Sequence, residues 1–188
     1  NNKDIPKSIS YIKLWYKLHP NKENLKIKTL YNEILFLQYM QLKDIHAMEL
    51  YQKEMELLLS TSQDSSEKAR VYEKKALLLA AKKDFDQAIE FLKKSIATTP
   101  HVAMKYSNLA LAYLDKEDFD QAIYYAKIGL EKAQITKDST RYINLYATLA
   151  TAYAQKQDFE QAFYNQKQST FFRIANMQKN QLENISTI

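Results

Sequence analysis

Asp84-Phe85-Asp86-Gln87-Ala88-Ile89 decides the reading, because the chain writes it again as Asp118-Phe119-Asp120-Gln121-Ala122-Ile123 and as Asp158-Phe159-Glu160-Gln161-Ala162-Phe163. A degenerate copy is Asp44-Ile45-His46-Ala47-Met48-Glu49, and a fainter one is Asp4-Ile5-Pro6-Lys7-Ser8-Ile9. Successive copies lie 40, 40, 34 and 40 residues apart, a period that marks arrays of supersecondary units. Asp is a preferred N-cap, since its carboxylate accepts orphan amide hydrogens of a first helical turn. Gln three residues later is expected to reach back to the cap's own N–H, as in a capping box. A helix should therefore begin at each copy. Upstream of the three clear copies lie Tyr72, Ala76 and Leu79; Tyr106, Leu109, Ala110 and Tyr113; Tyr146, Leu149, Ala150 and Tyr153. Spacings of three, four and seven put each set on one helix face, so the unit reads as helix, tight turn, helix.

The period and these residues resemble the tetratricopeptide repeat, whose first helix carries an aromatic, a large apolar residue beside a small one, then an aromatic, and whose second helix opens with a small residue. Tyr106, Leu109, Ala110, Tyr113 and Ala122 fill these slots, as do Tyr146, Leu149, Ala150, Tyr153 and Ala162. In the preceding unit Tyr72, Ala76, Leu79 and Ala88 do so, Lys75 departs from the expected apolar residue, and Pro100 closes the unit. The first unit offers Asn32, Leu35, Phe36, Tyr39 and Met48; Phe36 and Met48 replace small residues, so its helices are expected to sit further apart. The resemblance covers about residues 24–170 and implies an all-α fold, a right-handed superhelix of antiparallel helix pairs. Small residues on facing helices let backbones approach closely, and the many tyrosines at helical spacing read as core.

The expected organisation is a second helix of a truncated repeat at 1–22, repeats at 23–64 (degenerate), 65–100, 101–137 and 138–170, and an extended C-terminal or capping helix at 171–188. First helices are expected near 24–41, 66–82, 101–116 and 140–156, and second helices near 4–19, 45–60, 85–98, 119–135 and 159–175. The extra residues of the longer spacings fall at 60–66 and 137–140. An apolar seam at Phe171, Ala175, Leu182 and Ile185 extends the last helix past 180. Without an initiator Met, the chain reads as a fragment or a processed product, and nothing in it reports a cytoplasmic or periplasmic location.

Composition excludes much. One glycine, Gly129, stands where average usage of about 7% would give roughly thirteen. Turn-rich β architectures and glycine-dependent phosphate loops are thereby ruled out. Zero cysteines remove disulfides, thiolate metal sites and thiol nucleophiles, and no run approaches a membrane span. The net charge of +5 sits in residues 1–28, with seven Lys against Asp4 and Glu23. A solvated helix face explains that end; nucleic-acid or anionic-surface binding through it is the alternative. His19, His46 and His101 lack ligand-like neighbours, with His19 and His101 reading as caps beside Pro20 and Pro100. The cluster Asp115, Glu117, Asp118, Asp120 reads as capping and helix-dipole charge. Asn184-Ile185-Ser186 matches a glycosylation triplet that is common by chance. No catalytic constellation, metal site or cofactor is expected.

Function then follows from the resemblance. Stacked helix pairs line a concave surface with their first helices, and in the family peptides lie there. By register the groove-facing residues are Leu37 and Met40 in the first repeat, and Arg70, Glu73 and Leu77 in the second. In the third they are Met104, Ser107, Leu111 and Leu114, and in the fourth Asn144, Ala147, Thr151 and Ala154. Relatives that clamp a C-terminal carboxylate use Lys, Asn and Arg on these faces; Asn108 matches, whereas Ser107 and Leu111 occupy slots where Lys and Asn would be wanted. An apolar helix or hydrophobic peptide is the expected partner, unless the chain's own terminal helix fills the groove. The expected role is a non-catalytic protein–protein interaction module, scaffold or sensor, of a larger protein similar to bacterial signalling proteins. The alternative is a peptide- or small-ligand-sensing receptor domain.

Overall fold

A computed structural model of the chain describes residues 4–60, 64–136 and 139–185. Thr61, Ser62, Gln63, Lys137 and Asp138 of the inter-unit stretches lie outside the described residues, as does Ser186 of the glycosylation triplet. The described residues form nine helices and no strand. They fall into two compact units, 1–98 and 99–188. The first holds α1 (Ile5–Leu18), α2 (Leu25–Gln41), α3 (Ile45–Leu59), α4 (Ser65–Ala81) and α5 (Phe85–Thr98). The second holds α6 (Ala103–Asp115), α7 (Phe119–Thr136), α8 (Ser139–Gln155) and α9 (Phe159–Ile185).

Four hairpins share one turn. The amides of Ala47, Gln87, Gln121 and Gln161 donate to the carboxylates of Asp44, Asp84, Asp118 and Asp158 at 3.0–3.2 Å, which satisfies one orphan donor per helix. The residues just before these caps, Lys43, Lys83, Glu117 and Gln157, hold φ of 57°, 64°, 65° and 63°. In this left-handed conformation their amides reach carbonyls three back, and each Asp amide reaches the carbonyl five back; paired bonds of this kind close helix C-termini. The capping-box expectation needs correcting here. The Asp84 N–H is already bonded to the Leu79 carbonyl at 2.9 Å, so the Gln87 side chain instead donates to the Asp84 carboxylate. Asp4 also departs from its copies: its backbone is helical and its side chain caps nothing. Pro6, two residues on, has no amide to offer.

The core of the first unit is built from large side chains. Ile5 and Ile9 of α1 pack with Leu35 of α2, and Phe36, Met48, Met55, Val71 and Leu78 join α2, α3 and α4. The second unit uses small ones: Ala103, Ala110, Ala126 and Ala133 pack against Leu145 and Leu149 of α8. Several tyrosines complete these cores as stacked pairs, Tyr39 on Tyr51 with centroids at 5.6 Å and Tyr113 on Tyr125 at 5.4 Å, but Tyr11, Tyr124 and Tyr164 are exposed on outward helix faces, so helical spacing alone does not place them in the core. Burial pushes the phenols of Tyr106 and Tyr146 up. Buried serines bond across two seams, Ser95 Oγ to the Ala69 carbonyl at 2.6 Å and Ser169 Oγ to the Ile143 carbonyl at 2.9 Å. Among the described residues no helix is long and apolar enough to cross a membrane.

Candidate functional site

The first helices of the second unit enclose a groove. Ser107, Asn108, Leu111 and Leu114 of α6 face Asn144, Ala147, Thr148 and Thr151 of α8 around about 340 Å³ of space. None of the eight carries a charge. The short side chains on α8 create the concavity: Ala147 leaves room where a larger residue would fill it. The Thr148 and Thr151 hydroxyls bond their own helix at the carbonyls of Asn144 and Ala147, at 3.0 and 3.1 Å. Their hydrogens are thereby spent, which lowers the cost of covering them with an apolar ligand. Leu111 is 48% exposed within this setting, while Ser107 beside it is buried.

Leu114 and Thr151 continue into a second recess of about 450 Å³, completed by Asp115, Glu117, Phe119 and Gln155. This end is acidic. Burial pushes the Asp115 carboxyl above the usual carboxylate range, and a cation seated beside it would oppose that shift. The surface is thus an uncharged groove with carboxylates at one end. Among the described residues of α9 none lines either recess, so the terminal helix does not fill the groove. Instead α9 packs on α8 as a second helix, with Phe172 stacked on Tyr142 at 4.6 Å.

The sequence-derived groove residues of the first unit have a different setting. Leu37, Met40 and Leu77 pack against the Phe36–Met48 cluster as half-buried side chains. Glu73 is only 3% exposed, so little of it is available to a ligand. Arg70 Nε lies 3.6 Å from Glu33 and the buried Lys74 ammonium lies 2.9 Å from the same carboxylate, so the charges on this face are engaged with each other. Met104 is half-buried and Ala154 exposed, and neither lines the two recesses. Thr148 was not expected at the groove. It lies one turn from Asn144 and Thr151 on α8, a neighbourhood that helical spacing alone would have supplied. Asp115, expected as turn charge, lines the acidic end. His19 acts as the C-cap of α1 and accepts from the Asn21 amide at 3.1 Å. Among the described residues, no three His, Asp or Glu side chains converge as a metal site would require.

Comparison with known proteins agrees with this architecture. Residues 69–101 match the family model described as tetratricopeptide repeat. No curated protein matches the sequence. Among solved structures, a crystal structure of MamA is 20% identical and superposes with a TM-score of 0.62, covering 94% of this chain and 92% of that one. BtubC (BKLC) from P. vanneervenii is 18% identical with a TM-score of 0.68, over 93% of this chain and 72% of that one. A second MamA chain, described as an RS-1 ArsTM double mutant, is 15% identical with a TM-score of 0.58, covering 92% and 86%. At such identities the likeness establishes the fold. Residues 69–101 are thus similar to a tetratricopeptide repeat, and the chain has the all-α fold of the TPR-like helical solenoids.

Proposed function

We propose that the chain is a non-catalytic protein–protein interaction module whose α6/α8 groove holds an apolar segment of a partner. One observation carries this reading: Leu111 stands half exposed in a concave, uncharged groove whose threonine hydroxyls are already satisfied. Such a surface favours an apolar side chain over a carboxylate or phosphate, because it offers no cation to a negative group. The acidic recess at Asp115 and Glu117 supports a partner that carries Lys or Arg beyond its apolar anchor. Burying one Leu-sized side chain contributes about 1.5–3 kcal/mol, so two or three anchors support binding near the micromolar range, about −8 kcal/mol, after association costs. Met104 of α6 belongs to this proposal as a flanking position, whereas Leu37, Met40, Arg70, Glu73 and Leu77 lie on the first unit and form no part of this groove. The division into repeats at 23–64, 65–100, 101–137 and 138–170, which the recurring capped turn supports, also belongs to the proposal. The 34- and 40-residue spacings support placement in a larger signalling protein of bacterial type.

Peptides selected from a random library against the whole chain test the reading. Enriched sequences should be apolar with a basic residue at one end. Leu111→Asp should weaken them at least about tenfold with circular dichroism unchanged, whereas Lys13→Ala plus Lys17→Ala should leave them unaffected. Raising salt from about 50 to 200 mM should change affinity little, against roughly a thousandfold loss for a phosphate binder. Equal affinity for Leu111→Asp, or the steep salt response, would remove the groove from the account and favour the basic N-terminal end.

A further inference from the structure

Helix α9 has two sides, and the interior of its unit uses one. Asn165 and Ser169 are buried, and Phe172 stacks on Tyr142 and Tyr146, so this side holds α8. On the opposite side Phe163, Phe171, Ile174 and Met177 are 73%, 62%, 51% and 58% exposed. Phe163, Thr170, Ile174 and Met177 fall at helical spacing on one stripe, with Phe171 at its edge.

Repeat register tells what the stripe corresponds to. In α7, one repeat earlier, Ile123, Ala126, Leu130 and Ala133 pack with Leu145 and Leu149 of α8. Forty residues on, the same positions in α9 are Phe163, Gln166, Thr170 and Arg173. Phe163 and Thr170 of the stripe thus stand where α7 holds the helix that follows it, whereas Phe171, Ile174 and Met177 replace Glu131, Gln134 and Lys137, so the stripe extends that surface onto positions that are polar one repeat earlier. Three of the four positions differ in kind, Thr170 standing where α7 has Leu130. Ala126 and Ala133 are fully buried methyl groups in α7, and α9 has an amide and a guanidinium there. A helix seated on α9 would lie further out than α8 lies on α7, and would meet a positive charge where α8 meets a methyl. Lys167 adds a second cation inside the stripe and lines, with Phe163, Gln166, Thr170, Phe171 and Ile174, a notch of about 420 Å³. From Gln161 to Leu182 the helix has Lys167, Arg173 and Lys179 and no Asp or Glu.

We infer that this side of α9 receives an amphipathic α-helix from a protein partner, one that carries Asp or Glu beside its apolar stripe. Charge chooses among the occupants. A second copy docked through the same side would set Lys167 and Arg173 against their own likes, which is costly at an interface. A lipid surface would answer the charges but holds no group at a fixed position opposite the notch, whereas a helix presents a protruding Leu or Phe and a carboxylate at set spacing. The surface lies outside the α6/α8 groove, so this inference stands or falls independently of the groove reading.

The test uses the whole chain with two synthetic helical peptides that repeat the Leu145/Leu149 spacing over four turns, one with Glu and one with Lys at its outward positions. Fluorescence anisotropy should give saturable binding of the Glu peptide, with the Lys peptide at least about tenfold weaker. Phe171→Ser plus Ile174→Ser, both at exposed positions, should weaken the Glu peptide by about tenfold or more with circular dichroism unchanged. Lys167→Glu plus Arg173→Glu should invert the preference between the peptides. Leu111→Asp, in the groove, should change neither affinity by more than about twofold. No saturation of the Glu peptide by about 1 mM overturns the inference, and so does a preference that survives the charge reversal. Flotation on phosphatidylcholine vesicles containing about one-third phosphatidylserine, lost in the charge-reversed chain while both peptides are ignored, would reassign the surface to lipid. A dimer seen by sedimentation and abolished by Phe171→Ser plus Ile174→Ser would reassign it to a second copy.

Discussion

The α2–α3 and α6–α7 hairpins make the same turn and fill their seams in opposite ways. Each closes its first helix with a left-handed residue, Lys43 or Glu117, and opens its second with a capping carboxylate, Asp44 or Asp118. Eight residues before the cap, and four and eleven after it, the first hairpin has Phe36, Met48 and Met55, and the other has Ala110, Ala122 and Gly129. All six are buried. In the second unit the seam has no slack: a Cβ on Gly129 would lie 2.6 Å from Leu145 Cδ2 and 3.3 Å from Tyr106 Cβ. The comparison teaches that the turn makes the hairpin, through a few local hydrogen bonds, while the volume of the seam residues sets how the helices fill the space between them. Ser95 and Ser169, at the same position as Gly129, show a third solution, in which a small side chain also bonds across the seam.

If seam volume is the variable, opposite substitutions should damage the two hairpins. Phe36→Ala should cost about 3–5 kcal/mol by leaving a cavity in the first. Ala110→Phe should cost about 1–3 kcal/mol or more by overpacking the α6–α7 hairpin. Urea denaturation of both variants checks this, and wild-type midpoints for either would mean that the repeat register is wrong.

If the turn is the constant, cap deletions should behave alike in both places. Asp44→Ala and Asp118→Ala should each cost about 1 kcal/mol. Because repeats couple mainly to their neighbours, amide exchange should quicken in the altered hairpin and the helices packed on it. A uniform rise along the chain would indicate one globally cooperative core instead. The gentlest change has the opposite sign. Lys43→Gly and Glu117→Gly relieve a left-handed backbone that costs a side-chain-bearing residue roughly 1–2 kcal/mol, offset in part by the freedom that glycine adds to the unfolded chain. Thermal melts should rise slightly for both, and a fall for either would show that its side chain supports the turn.

The helices were legible because their signals are local. Asp at each start, Gln three residues on and apolar residues at three, four and seven specify a helix wherever the chain places it, and α5 runs from Phe85 to Thr98 as that pattern requires. Lys43, Lys83, Glu117 and Gln157 carry no such signal. Glycine is the usual mark of a left-handed residue, and this chain with a single glycine relies on longer side chains there. The groove was legible by halves. Leu111, Leu114, Asn144 and Thr151 line one recess, because their faces follow from register alone. On the first unit register was insufficient, since Glu33 from another helix engages both Arg70 and Lys74.

By itself the sequence determined an all-α chain of capped helix hairpins without cysteine chemistry or glycine loops, because periodicity, caps and composition act within a few residues. Only the tertiary structure decided that Glu73 is buried. It also decided that Asp115 sits at the end of a groove and that the stripe from Phe163 to Met177 stays exposed. Each of these depends on which atoms of other segments arrive alongside, and a side chain's exposure, charge environment and hydrogen-bond partner are properties of that arrival.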